Sequence, residues 1–219
     1  MPNAVKQKNP AAFKYFGEVA QTYDAIRSKK RATKGDDYII DKFLATCRRG
    51  SIVADIPAGT GRAVHAVLKH GLKYVGIDIS EDMLQICRSK IGDHQEARLL
   101  QADACSLPLE DKEVDVILCV KLMKWFPTDE MVLDVLREFR RVCSGRMLVN
   151  IKTRREQSLL KSLARGILKQ ICQNTSHLQT STRQMTPLLF ENLCGVAGWT
   201  IDEMSENTAA NHVRFYVLS

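Results

Sequence analysis

The run Ile52-Val-Ala-Asp-Ile56 passes directly into Pro57-Ala-Gly59-Thr-Gly61. A short apolar stretch bounded by Pro and Gly reads as a strand. Two glycines around one small residue let the backbone turn sharply and approach a ligand closely. Val64, Val67 and Leu68 follow at helical spacing, and Gly71 closes that helix. The helix therefore starts just behind the loop and aims its N-terminal N–H groups at whatever the loop holds.

The same alternation continues along the chain. Tyr74–Asp78, Arg98–Asp103, Val114–Val120 and Gly145–Ile151 read as four further strands. Val114–Val120 is apolar enough to be buried on both faces. Ser80 caps one intervening helix, with acids in its first turn, and Thr128–Val142 forms another. Strands that alternate with helices predict right-handed crossovers and a doubly wound parallel sheet. Thr186-Pro187 starts a helix that ends near Gly198-Trp199. Thr200–Met204 and Val213–Leu218 then form an antiparallel pair. The fold class is α/β: a Rossmann-like, mostly parallel, seven-stranded sheet closed by a C-terminal antiparallel hairpin.

Earlier segments read as a cap. Phe13–Ile26 and Tyr38–Cys47 carry helical periodicity, with the basic stretch 27–34 between them as a solvated loop. Residues 1–12 read as a flexible N-terminus and 13–219 as one domain. Within it, 13–50 are an N-terminal helical cap and 152–185 an insert placed to cover a substrate. The insert holds a helix over Glu156–Gln173 and a polar loop over 174–185.

Composition removes several alternatives. At 45% hydrophobic and 26% charged residues, the chain can build a core, so dominant disorder is excluded. No apolar run approaches the roughly 20 residues of a membrane helix. The start, Met1-Pro2-Asn3-Ala4-Val5-Lys6, lacks a signal-peptide core, and a cytoplasmic location is expected. Seven cysteines occur without a C-x-x-C pair, which reads as buried thiols in a reducing compartment. The five histidines do not pair with acids at ligand spacing, so no metal site is expected.

Ligands of open α/β sheets bind beyond the carboxyl ends of the strands. Asp55, Asp78 and Asp103 lie at or near three such ends. Asp78, 17 residues after Gly61, is placed to take both hydroxyls of a ribose, which asks for an adenosine-containing ligand. NAD is poorly served, because Gly59-Thr-Gly61-Arg-Ala-Val64 lacks the third glycine of the dinucleotide fingerprint. No Gly-Lys-Ser/Thr follows, which excludes a P-loop.

The ordered set of motifs resembles the class I S-adenosylmethionine (SAM)-dependent methyltransferases, in their small-molecule, lipid and quinone subgroup. The resemblance rests on Val53–Arg62, Val75–Leu84, Leu100–Pro108, Val114–Val120, Leu136–Val142 with the strand after it, and Gly198-Trp199 with the final hairpin. It implies SAM as cofactor. Asp55, Ala58, Gly59 and Gly61 would floor its methionine and ribose, and Asp78 would take the ribose hydroxyls. Ile79 and Met83 would sandwich the adenine, Asp103 and the Ala104 N–H would meet its edge, and Val120 and Lys121 would lie near the sulfonium. The chain departs from the pattern at Pro57, where a glycine is usual, and at Lys121-Leu-Met-Lys124-Trp125-Phe126, where many relatives carry a His.

Methyl transfer is an in-line displacement that needs chiefly proximity, alignment and exclusion of water. Lys121, Tyr15 and Tyr23 are weak candidates for a base, with Lys124 and His177 behind them. The expected activity is methyl transfer from SAM to a small-molecule or lipid-like acceptor. The alternatives are a SAM-binding regulatory module without turnover and an RNA methyltransferase. The net charge of +7 fits an anionic partner. However, the basic clusters lack interleaved aromatics, and no Asn-Pro-Pro-Tyr motif follows the fourth strand, so nucleic acid is the less expected partner.

Overall fold

The computed structural model describes residues 31–153, 182–207 and 212–219, together with Gly17 and Thr22. Helix α1 (Arg31–Leu44) leads into β1 (Ile52–Asp55), α2 (Val64–Lys69), β2 (Lys73–Asp78), α3 (Glu81–Ile91) and β3 (Ala97–Gln101). Then come β4 (Val114–Cys119), a 3₁₀ turn (Met123–Trp125), α4 (Asp129–Val142) and β5 (Cys143–Lys152). The chain closes with α5 (Pro187–Val196), β6 (Ile201–Glu206) and β7 (Val213–Leu218).

The seven strands form one sheet in the order β3-β2-β1-β4-β5-β7-β6. The first five run parallel, while β7 runs antiparallel to both β5 and β6. Strand order reverses between β1 and β4, so the crevice for a ligand opens at the carboxyl ends of those two strands. This is the expected α/β architecture, and the C-terminal hairpin inserts its second strand next to β5.

Each face of the sheet carries its own core. On one face Ile40, Phe43 and Leu44 of α1 pack with Val64 and Val67 of α2 against Val53, Val116, Leu148 and Phe215. On the other, Val135, Leu136 and Phe139 of α4 pack with Phe190 and Cys194 of α5 over Ala54, Ile117 and Val149. The helix starts follow the sequence signals. Ser80, Thr128 and Thr186 each accept the N–H three residues on, from Met83, Met131 and Leu189. At Gly145 a Cβ would stand 2.5 Å from the Asp115 carbonyl, so close β4–β5 pairing requires glycine there.

Some boundaries differ from the sequence reading. Among the described residues α1 spans Arg31–Leu44, so it takes in part of the stretch read as a loop; Asp36 and Ile40 give it tertiary partners. Asp103 lies beyond β3 and not at its end. Its carboxylate accepts the Cys105 N–H at 3.0 Å and makes a turn. Strand β5 starts at Cys143, directly after α4. The helices read over Phe13–Ile26 and Glu156–Gln173, and most of the 152–185 insert, lie outside the described residues.

Trp199 ties the C-terminal segment to α4. Its indole N–H donates to the Leu136 carbonyl at 2.9 Å, and the Arg140 guanidinium lies 5.1 Å from its ring. Trp199→Phe keeps the ring in the core but leaves that carbonyl without its donor. Unfolding free energy is expected to fall by about 1–3 kcal/mol. Urea denaturation will read this as a lower midpoint with an unchanged slope.

Candidate functional site

The site is built around the exit of β2. Asp78 is buried, and each of its carboxylate oxygens accepts a backbone N–H. Gly59 donates to one at 2.8 Å and Ser80 to the other at 3.0 Å. Burial raises the Asp78 pKa, and the N–H groups of Ser80 and Gly59 oppose that shift. Each oxygen keeps a second lone pair for a ligand hydroxyl. Main-chain bonds complete the clasp. Ala58 N donates to Ile77 O at 2.9 Å and Ala102 N to Asp78 O at 3.0 Å, so the exits of β1, β2 and β3 are tied together.

The loop after β1 is shaped by what its glycines lack. Gly59 has φ +54°, and a Cβ there would meet nothing within 4 Å, so the backbone faces open space. Gly61 has φ +76°, and a Cβ there would stand 2.6 Å from the Cys87 Sγ on α3. That contact makes the second glycine a packing requirement, because α3 lies directly against the loop. Gly76 serves similarly. The Tyr74 ring lies across it, and a Cβ would come within 2.7 Å of that ring.

Tyr74 crosses Gly76 to reach Asp55, donating its hydroxyl to the carboxylate at 2.9 Å. Asp55 is buried at 6% exposure beneath the loop. Desolvation pushes its pKa up to about 7, against the smaller lowering effects of the Tyr74 hydrogen bond and the Arg62 charge. Cys87 is pushed up to about 11, again by burial.

The other sequence-assigned residues distribute as follows. Met83 is buried in the first turns of α3, Ile79 and Ala104 lie in the loops after β2 and β3, and Val120 follows β4. The Lys121 N–H donates to the Asn150 side chain at 2.7 Å, and its ammonium lies 2.7 Å from Asp36 of α1. That pairing joins Lys121 to α1 at the carboxyl edge. Lys124 stacks on Trp125 at 4.9 Å. Tyr15, Tyr23 and His177 lie outside the described residues. Among the described residues no group of His, Cys, Asp and Glu could hold a metal ion.

Sequence reasoning missed Tyr74, Cys87, Asn150 and Asp36. Two of them carried a usable signal. Asn150 interrupts the apolar run Met147-Leu-Val-Asn-Ile151, and Tyr74 stands two residues before a glycine inside a strand. Asp115, the second residue of β4, has a structural bond: its carboxylate accepts the Ile52 N–H at 2.8 Å.

Residues 53–145 match the family model described as a methyltransferase domain. The fold superposes on magnesium protoporphyrin IX methyltransferase from Synechocystis PCC 6803, crystallised with S-adenosylhomocysteine (SAH). The TM-score is 0.69 at 13% identity, over 93% of this chain and 95% of that one. Residues 53–145 thus match a methyltransferase domain, and the fold is that of the class I methyltransferases. Proteins of this family use SAM. The residues present fit that cofactor, with a fixed carboxylate at the β2 exit beside a loop whose Gly59 leaves room where a side chain would project.

Curated relatives of the methyltransferase domain differ in acceptor. Demethylmenaquinone methyltransferase of Tropheryma whipplei is 36% identical over 116 residues, 49% of this chain and 45% of that protein. The mouse tRNA (carboxymethyluridine(34)-5-O)-methyltransferase ALKBH8 is 29% identical over 125 residues, 57% of this chain and 18% of that protein. The chain thus spans less than half the length of either relative.

The buried Asp55 gives the methyltransferase domain a pH signature. Its carboxyl titrates near 7 in the folded chain against an ordinary value of 3.8, so the folded state holds the extra proton between those values. The stability this group confers is therefore full below about pH 4 and falls as pH rises through 7. Asp55→Asn keeps an acceptor for Tyr74 and removes the titration. The variant's melting temperature relative to wild type is expected to rise by several degrees between pH 5 and pH 8. A difference independent of pH would show that Asp55 is ionised throughout.

Proposed function

We propose that this protein transfers the methyl group of SAM to a small-molecule or lipid-like acceptor, in a cytoplasmic setting. The single observation that carries the cofactor half is the Asp78 carboxylate, fixed by Gly59 and Ser80 at the β2 exit with acceptor capacity left for two ribose hydroxyls. Around it, Asp55, Ala58 and Gly61 would floor the methionine and ribose. Ile79 and Met83 would bracket the adenine, with Asp103 and Ala104 at its edge and Val120 near the sulfonium.

When bound, the cofactor supplies a methyl group activated by positively charged sulfur. The chain's own residues then have three tasks. They hold the ribose through Asp78, keep the loop backbone close through Gly59 and Gly61, and exclude water with the apolar surface beyond β4. Leu122 stands partly buried at that exit, over Met123 and Phe126 in the core. With Lys121 engaged by Asp36, these residues support transfer driven by alignment, in which the acceptor brings its own reactivity. Residues 13–50 and 152–185 would supply the acceptor's cover.

The small-molecule reading is supported by the demethylmenaquinone relative and by the apolar exit of β4. The tRNA relative favours a second reading, with RNA as acceptor. Salt dependence separates them, since binding of an RNA through its phosphates weakens steeply as salt rises.

Calorimetry with SAM and SAH tests the cofactor claim on the wild-type protein. Saturable binding with micromolar affinity is expected, together with a ligand-dependent rise in melting temperature. Absence of binding at millimolar ligand would overturn it. Asp78→Ala removes the ribose acceptor and the loop clasp together. It is expected to weaken SAH binding by at least about a hundredfold, given losses of about 1.5–3 kcal/mol for each charged hydrogen bond.

A further inference from the structure

Helix α1 is anchored to the crevice between β1 and β4 by one buried carboxylate. Asp36 of α1 is 2% exposed. One oxygen accepts the Asn207 side-chain N–H at 2.7 Å. The other lies 2.7 Å from the Lys121 ammonium and 3.5 Å from the Arg62 guanidinium. Arg62 also reaches Asp37 at 3.3 Å.

Each partner stands next to a site element. Arg62 directly follows Gly61 of the β1 loop, and Lys121 directly follows Val120 at the β4 exit. These are the strands between which the order reverses. Asn207 follows β6, and its N–H closes the hairpin on the Val213 carbonyl at 3.2 Å. Lys121 has φ +72°, a left-handed backbone that a side chain disfavours. Two contacts on opposite sides hold it there: Asn150 on its N–H and Asp36 on its ammonium. The approach of α1 is close, since a Cβ at Gly35 would stand 2.2 Å from the Asn207 side-chain oxygen. Upstream in the chain, the Gly17 N–H donates to Asp82 in the first turn of α3 at 2.6 Å.

We propose that Asp36 is a positioning residue for the cofactor site. Through Lys121 and Arg62 it fixes the backbone on both sides of the β1–β4 crevice, and it does so only while α1 is seated. Cofactor binding and seating of α1 are then reciprocally linked, because the same backbone geometry serves both. A charge of this kind, buried among two cations and an amide, sets geometry more than it adds net stability. This rests on the reading of the crevice as a SAM site.

SAH serves as the probe, with hydrogen exchange along α1 as the second readout. Wild-type protein is titrated first, so a failure of the cofactor reading shows there as absent binding. Once wild type binds, Asp36→Asn tests the linkage. It keeps the volume and an acceptor for Asn207 but removes the charge. SAH affinity is expected to fall by about tenfold. SAH is expected to slow amide exchange across residues 33–44 in wild type and to lose that effect in the variant. Lys121→Met provides the parallel test if Asp36→Asn folds poorly, as judged by circular dichroism. The double variant should weaken binding no more than the worse single one, because both act through one ion pair. Wild-type affinity in the folded variants, or SAH-dependent protection of α1 that survives both substitutions, would overturn the proposal.

Discussion

Two backbone N–H groups on one carboxylate organise the carboxyl edge of the sheet. Asp78 takes Gly59 from the loop after β1 and Ser80 from the start of α3. Ser80 in turn caps that helix through the Met83 N–H. The Asp78 and Ile77 carbonyls take N–H groups from the β3 and β1 exits. The last two residues of β2 therefore join three loops that share no hydrogen bond ladder of their own. Everything a ligand would touch at this edge inherits its position from that junction. The glycines then set how near the backbone comes: Gly61 because Cys87 fills the space of its Cβ, and Gly59 because the space beyond it is open.

Three buried carboxylates lie at this end of the molecule, and each meets the cost of desolvation differently. Asp78 is held by main-chain donors that stay in place whatever its charge. Asp55 has one phenolic donor, which is too little to offset burial, and its pKa rises to about 7. Asp36 gathers two cations and an amide. An uncompensated buried charge costs several kcal/mol, so a group surrounded this fully is held to one geometry. The three arrangements order the edge from adaptable at Asp55 to fixed at Asp36. The adaptable group sits under the loop, and the fixed one on α1.

Much of the fold was legible because it rests on local patterns. Apolar runs ended by Gly or Pro marked the strands, and Ser80, Thr128 and Thr186 marked the helix starts through short-range capping. The Gly59–Gly61 loop and Asp78 were readable for the same reason, since a strand exit followed by small residues is a feature of one segment. The helical character of the chain from Arg31 was not. The basic stretch lacks an apolar stripe, and Asp36 just beyond it bonds Asn207 far along the chain. Asp103 illustrates a smaller limit. The strand pattern runs to it, yet its own side chain bonds the Cys105 N–H and turns the chain two residues earlier.

The Asp36 cluster marks where sequence reading ends for physical reasons. Its members stand at 36, 62, 121 and 207 and share no periodicity. Taken singly they read as solvated polar side chains, which is the commonest state for such residues. Only the sheet order brings β1 beside β4 and turns the hairpin back beside β5, so that α1 can cross all three exits. Lys121 shows the consequence for function. Read from its place after β4, it is a candidate base. Read with Asp36 2.7 Å from its ammonium and Asn150 on its N–H, it is the strut that keeps a left-handed residue beside Val120. The role of a side chain at this edge is thus decided by what the topology delivers to it, and the same lysine on an unpaired loop would be open to a different chemistry.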